Sequence, residues 1–302
     1  MNIKDIEKFS NKTHGKLFFD YDLKKINWFN IGGKSKIFFK PENFEELIEF
    51  LKIYKSRGKI FVIGAGSNVL ISDKLYKGVV IKLGKNFSKL SLLDETTIIA
   101  GSSATDKQVS EFAKENNIGG FEFLSCIPGS IGGAIRMNTG CFDHEIKDSL
   151  ISVQAVTFDG QVVSILKKDI IFNYRECNLP KNMIFLSATL KGKKKTKQLI
   201  QKEIITLKEK KEISQPTKIK TGGSTFKNPK NQTNKKVWEL IKSSISLNTE
   251  FGDASISKKH CNFLINKNNA SYDDMLKLIQ YIKKEVEIKT GVKIELELVL
   301  VK

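Results

Sequence analysis

Two glycine-rich runs, a serine on a glycine turn and a handful of arginines are the residues in this chain whose types and spacing suit chemistry. The first run is Gly64-Ala65-Gly66-Ser67-Asn68-Val69-Leu70. It opens like a dinucleotide fingerprint, but Val69 stands where the third glycine belongs. The residues after it do not open a helix either, so a nicotinamide-binding Rossmann unit is disfavoured. Bare backbone N–H groups with the Ser67 and Asn68 side chains make either an anion cradle or an ordinary tight turn. The second run is Ile127-Pro128-Gly129-Ser130-Ile131-Gly132-Gly133-Ala134, continuing through Asn138 to Gly140. Its four glycines imply backbone held close to something, or positive φ, at several points. It lacks Gly-Lys-Ser/Thr, which excludes a P-loop ATPase. The two runs could grip the two ends of one pyrophosphate-containing cofactor; alternatively the second is a glycine-rich helix-packing motif.

Ser224 lies in Gly222-Gly223-Ser224-Thr225-Phe226-Lys227-Asn228-Pro229. This is not the Gly-x-Ser-x-Gly elbow of a hydrolase, and no Ser-His-Asp order accompanies it. A serine without an adjacent base serves better as a proton donor than as a nucleophile, particularly beside a cation that stabilises an enolate. Tyr174-Arg175 and Glu297, near the end of the chain, are the other groups to watch. Taken singly, each has a plainer use: Arg175 in a surface ion pair, Ser224 in a turn, Glu297 on a solvated strand face.

The 302 residues carry 51 Lys plus Arg against 33 Asp plus Glu, a formal charge of +18. Nucleic acid is the first partner such a surplus suggests. Only Arg57, Arg136 and Arg175 are arginines, however, and a lysine bias spread along a chain is weak evidence for planar, bidentate recognition. Residues 191–242 hold 16 lysines and four glutamates, a net of +12, but only Phe226 and Trp238 as aromatics, too few for a base-stacking platform. Four cysteines without a CxxC pair and three scattered histidines give neither a metal cluster nor a disulfide framework. The N-terminus has no apolar signal region, and no run approaches the ~18 apolar residues that span a bilayer. A cytoplasmic protein without a membrane or nucleic-acid partner is expected.

The elements that must hold these groups follow from periodicity. Apolar Leu47, Ile48, Leu51 and Tyr54 predict a helix over 44–57, followed by a buried strand at 59–63 that ends in the first glycine run. Strands at 79–83 and 97–100, a helix over 105–117, and a hairpin of 152–158 with 162–166 about Asp159-Gly160 come next. Residues 191–200 read as a linker, followed by a helix to about Glu212. Helices around 237–243 and over 272–289, with strands at 261–265 and 292–301, complete a smaller α+β unit.

In order and spacing the motifs resemble the UDP-N-acetylenolpyruvoylglucosamine reductase family over nearly the whole chain. They run from Trp28-Phe29-Asn30-Ile31-Gly32-Gly33, through both glycine runs, Asn173-Tyr174-Arg175-Glu176 and Gly223-Ser224-Thr225-Phe226-Lys227-Asn228-Pro229, to His260-Cys261-Asn262-Phe263-Leu264-Ile265-Asn266. The resemblance implies an α+β fold: a vanillyl-alcohol-oxidase-type FAD-binding region of two α+β subdomains over 1–190, split near 85, and a C-terminal α+β substrate domain over 201–302. It implies FAD and NADPH as cofactors, a UDP-sugar of peptidoglycan precursor synthesis as substrate, and a monomer. FAD would lie against Gly64, Ala65, Gly66, Ser67, Asn68, Val69 and Leu70. Ile127, Pro128, Gly129, Ser130, Gly132, Gly133, Asn138 and Gly140 would line its other side.

In that family NADPH reduces the flavin, whose N5 delivers hydride to C3 of the enolpyruvyl group. The matching positions make Ser224 the proton donor to C2, with Arg175 and Glu297 stabilising the enolate. Tyr174, Asn228 and His260 fall near the substrate, and Lys218, Lys220 and Lys227 are candidates for its diphosphate. The separation of 49 positions from Arg175 to Ser224 fits the short form of the family, without an inserted tyrosine loop. Glu295 lies on the same strand face as Glu297 and competes for its role. An FAD-dependent oxidase of sugars or alcohols on the same cofactor domain is the alternative function, and a basic nucleic-acid-binding protein the remote one.

Overall fold

Helix Phe44–Tyr54 shows most directly how sequence fixes structure here. Asn43 caps it by accepting from the Glu46 N–H at 2.9 Å, and Leu47, Phe50, Leu51 and Tyr54 are buried along one face. Lys55 ends it in the left-handed region (φ 47°), its N–H bonding the Leu51 carbonyl. The predicted continuation to Arg57 lies outside the described residues, which in this computed structural model are 3–55, 58–216 and 219–302.

The chain divides into two units that are interleaved in sequence. One comprises Met1–Tyr21, Lys36–Ala65 and Lys77–Lys211; the other comprises Asp22–Ser35, Gly66–Tyr76 and Glu212–Lys302. The main division therefore falls at Lys211, within helix Lys197–Ser214, and not in the expected linker at 191–200. Those linker residues are structured: Lys193–Lys194 pairs antiparallel with Ile118–Gly119.

Among the described residues the first unit holds two larger sheets. A four-stranded one runs Lys16–Asp22, Lys34–Lys40, Tyr76–Ile81, Ile60–Val62, with the last two parallel. Helix Phe44–Tyr54 packs on it through Phe39, Phe50, Val79 and Ile81. A five-stranded sheet runs Val162–Leu166, Leu150–Thr157, Met183–Lys191, Thr97–Gly101, Leu90–Leu92, all neighbours antiparallel. Its first two strands are the predicted hairpin, in register Val156 to Val162. Helix Asp106–Glu115, closed by a capping box between Thr105 and Gln108, buries Val109 and Ala113 in the core with Ile98, Leu124 and Ile131.

The second unit is built on helix Tyr272–Thr290, capped by Ser271 and ended by Gly291 at φ 72°. Its buried stripe, Met275, Leu278, Ile279, Ile282 and Val286, packs with Val237, Leu240 and Ile241 of helix Val237–Ser244 and with Phe29, Ile31 and Leu70. Burying each such side chain contributes about 1.5–3 kcal/mol, which is what draws two short stretches of early sequence into this core. Strands Glu250–Phe251, Ala254–Ile256 and Leu264–Asn266 form a small antiparallel sheet, and Val299–Val301 pairs parallel with Val69–Ile71. The predicted strand at 292–301 thus shortens to its last three residues. Val292, Ile294 and Leu298 keep the buried alternation, but among the described residues the segment before Val299 pairs only through the bridge of Leu296 to Phe226 and the backbone bonds of Glu295 and Glu297 to Lys227 and Thr225. The strand expected at 261–265 shifts to Leu264–Asn266 because Asn262 uses its side chain in place of a ladder.

Candidate active site

In the first unit, three backbone segments meet around the start of the first glycine run. Gly64 is so close to Ser130 that a Cβ on it would stand 2.4 Å from the serine Oγ. The Gly132 N–H bonds the Ser102 carbonyl at 2.9 Å, and Ile131 N–H bonds Ala104 at 3.0 Å. The second glycine run is therefore not a loop throughout: Ile131–Arg136 is a short helix, and Gly132 lets its backbone lie against Ser102. Gly129 lies beside Asp106 and Ser130 beside Gly64, while Gly132 serves packing.

The cradle holds polar groups that the protein leaves unpaired. Ser102 Oγ, Ser130 Oγ and both carboxyl oxygens of Asp106 are buried without a hydrogen-bond partner. Buried groups of this kind ordinarily find one. The Gly129 backbone lies beside Asp106 without forming a well-aligned bond to its carboxyl, so burial dominates and pushes the pKa up to about 8. Lys82 donates to the Gly64 carbonyl at 2.5 Å, and burial, then the neighbouring Lys40 charge, depress its pKa. Exposed glycine backbone, unpaired hydroxyls and a lysine suit a polar, phosphate-bearing cofactor. None of Ser102, Asp106 or Lys82 sits in a motif, which is why sequence reading passes over them.

Tyr174 and Arg175 form the two-residue tip of a hairpin, Phe172–Asn173 against Glu176–Cys177. Arg175 has φ 59°, a conformation that turns of this kind usually give to glycine or asparagine, so the arginine is held there at a cost. Its Nη2 donates to the Gly140 carbonyl at 2.7 Å, Nη1 to the Asn138 carbonyl at 3.5 Å, and its guanidinium lies 5.2 Å from the Tyr174 ring centre. Arg136 has a different use: it donates to the Leu179 and Pro180 carbonyls and covers the Phe185 ring. Arg57 lies outside the described residues.

The remaining candidates belong to the second unit. Gly66 takes φ 74°, and the residues after it are strand, as the failed fingerprint implies. Asn68 donates through Nδ2 to the Glu297 carbonyl at 3.0 Å. Ser224 is half-buried, bridges in backbone register to Phe263, and its hydroxyl makes no hydrogen bond among the described residues. Gly223 before it, at φ 76°, faces open space. Asn262 fixes the next two residues: its carbonyl accepts from Thr225 N–H at 2.8 Å, its Oδ1 from Phe226 N–H at 3.0 Å, and its Nδ2 donates to the Phe226 carbonyl.

Glu297 N–H bonds the Thr225 carbonyl, which sets Glu297 one residue from Ser224 in register. Glu295 is 73% exposed with its carboxylate 4.0 Å from Lys227, leaving Glu297 as the half-buried member of the pair. Asn228 Oδ1 accepts from the Val237 N–H at the start of helix Val237–Ser244. His260 Nδ1 accepts from Asn262 N–H at 3.3 Å, and burial lowers its pKa, so the ring is neutral with Nε2 carrying the proton. Lys220 reaches the Asn268 carbonyl; Lys218 lies outside the described residues.

Comparisons with known proteins point to one family. Residues 35–166 match the FAD binding domain model, and residues 215–301 match the model of the UDP-N-acetylenolpyruvoylglucosamine reductase C-terminal domain. The chain is 57% identical over its full length, and the full length of the relative, to the UDP-N-acetylenolpyruvoylglucosamine reductase of Pelagibacter ubique. The chain belongs to the UDP-N-acetylenolpyruvoylglucosamine reductase family. The reductase of Rickettsia conorii is 41% identical over 92% of this chain and 93% of its own. Among solved structures, the Thermus caldophilus reductase superposes with a TM-score of 0.81 at 27% identity, covering 96% of this chain and 99% of that one. As a reductase of this family the protein is an FAD-dependent oxidoreductase of peptidoglycan precursor synthesis, and the unpaired groups around Gly64 and Ser130 fall within the matched FAD domain. Among the described residues no cluster of His, Cys, Asp and Glu could hold a metal, and no helix is long and apolar enough to cross a membrane.

Proposed function

We propose that the protein reduces the enolpyruvyl group of UDP-N-acetylenolpyruvoylglucosamine to the lactyl group of UDP-N-acetylmuramate, using NADPH. Bound FAD supplies the chemistry of accepting a hydride from NADPH and passing it to C3 of the substrate. The protein's own groups manage the accompanying charge and proton. Ser224 Oγ gives its proton to C2, so that hydride at C3 and proton at C2 together saturate the double bond. Arg175 offers a fixed guanidinium to the enolate and its carboxylate, a planar acceptor that a lysine matches less well. Glu297 completes the set from its position beside Thr225. The segments around Gly64, Ser102 and Ser130 hold the cofactor, and Lys220 and Lys227 receive the diphosphate. The enzyme so read is cytoplasmic.

One observation carries this reading: Ser224 presents a half-buried hydroxyl that makes no hydrogen bond among the described residues, next to a glycine facing open space. A nucleophile would need an adjacent base, whereas a proton donor does not. Replacing Ser224 with Ala is expected to leave flavin reduction by NADPH within about twofold while slowing substrate reduction by about 10²-fold or more, the range of a general acid. Rapid-mixing measurement of the two half-reactions checks this. Equal loss in both would remove the proton-donor role.

A further inference from the structure

Asn138 is fully buried, although its neighbours in the second glycine run line the cofactor cradle. The position closes helix Ile131–Arg136: after the cap at Met137, Asn138 turns to φ 40°, the left-handed conformation that asparagine tolerates better than most residues. Its side chain is committed in two directions. Nδ2 donates to the carbonyl of Asn173 at 3.0 Å, the residue immediately before the Tyr174-Arg175 tip, and Oδ1 accepts from the Lys147 N–H at 3.4 Å. Its main-chain carbonyl meets Arg175 Nη1, while Gly140, two residues on, meets Nη2. One residue thus ties the base of the arginine hairpin by its amide and one prong of the guanidinium by its carbonyl.

Since Arg175 occupies a backbone conformation that arginine does not favour, something outside the hairpin has to hold it. We propose that Asn138 is a positioning residue for Arg175: it fixes the hairpin and aims the guanidinium, and does not itself touch cofactor or substrate. This rests on the reading of Arg175 as the group that meets the enolate. Asn138 was expected from sequence to contact the cofactor; its buried, committed amide gives it this other use.

Asn138→Gly is the informative variant, because glycine keeps the left-handed turn while deleting the amide. In the FAD-loaded enzyme, melting temperature and flavin content verify folding, and the two half-reactions are then followed by rapid mixing. Flavin reduction by NADPH is expected to stay within about twofold, while substrate reduction falls by about tenfold or more, in kcat more than in KM, as misplacement of a group acting in the transition state requires. Combining Asn138→Gly with Arg175→Lys should add less than about twofold to the loss from Arg175→Lys alone, since the two changes remove one interaction. Should the glycine variant not fold, Asn138→Asp, which keeps the shape but cannot donate to Asn173, is read in the same way. Equal loss in both half-reactions, or additive losses, overturns the proposal and leaves Asn138 a turn residue. A substrate half-reaction untouched by Arg175→Lys overturns the reading of Arg175 instead, and the proposal with it.

Discussion

Asp106 is a side chain whose protonation departs far from its behaviour in water. Its folded pKa of about 8 stands above the ordinary 3.8, so the folded state prefers the neutral acid. The stability this represents is fully present below the unfolded pKa and is lost as pH rises from about 4 through about 8. Asp106→Asn keeps the shape without the ionisation. It is expected to match the parent protein in melting temperature near pH 4 and to exceed it by several degrees above pH 8, since removing a buried charge is worth a few kcal/mol or more. A pH series of thermal unfolding checks it, and identical profiles for the two proteins would count against the burial argument. Nothing in the sequence marks Asp106, because its buried position depends on Gly129, 23 positions away in the chain. Arg175 was easier to find, as one of three arginines among 51 basic residues. The same rarity attends Arg136, however, which bonds two carbonyls and an aromatic face, so scarcity marks places where a planar cation is needed without saying for what.

Elements with strong local instructions were the legible ones. Asn43 and Ser271 each immediately precede a predicted helix, Thr105 is the first residue of another, and each caps an observed one. Segments whose partners are distant were not: the chain from Val292 to Leu298 alternates like a strand but lies beside Thr225 and Phe226, too short a neighbour for a ladder. The hairpin bearing Arg175 escaped for a related reason, since its left-handed tip carries an arginine where a turn signal would be glycine or asparagine. Gly66 makes the same point about turns from the other side. A Cβ there would meet the Ile26 carbonyl oxygen at 2.2 Å, and φ is 74°. Gly66→Ala is therefore expected to destabilise the protein by about 2–4 kcal/mol through clash and backbone strain together, read as a lower urea midpoint at unchanged slope. A change within about 0.5 kcal/mol would mean that the loop relaxes freely.

Across the molecule, the charge of +18 acts on encounter more than on fold. If it steers anionic substrates, kcat/KM for the UDP-sugar should fall severalfold between about 0.05 and 0.5 M salt, where the screening length drops below about 5 Å, while kcat changes little. A flat response would leave the lysine excess as a matter of composition and solubility. The interleaving of the two units has a consequence in time. Val69–Ile71, wholly buried, pairs among the described residues with Val299–Val301 and no other strand. During synthesis the early strand emerges long before its partner exists. At roughly 5–20 residues per second it waits on the order of 10–50 s, apolar and unpaired, so the nascent chain is most prone to aggregate late in its own translation.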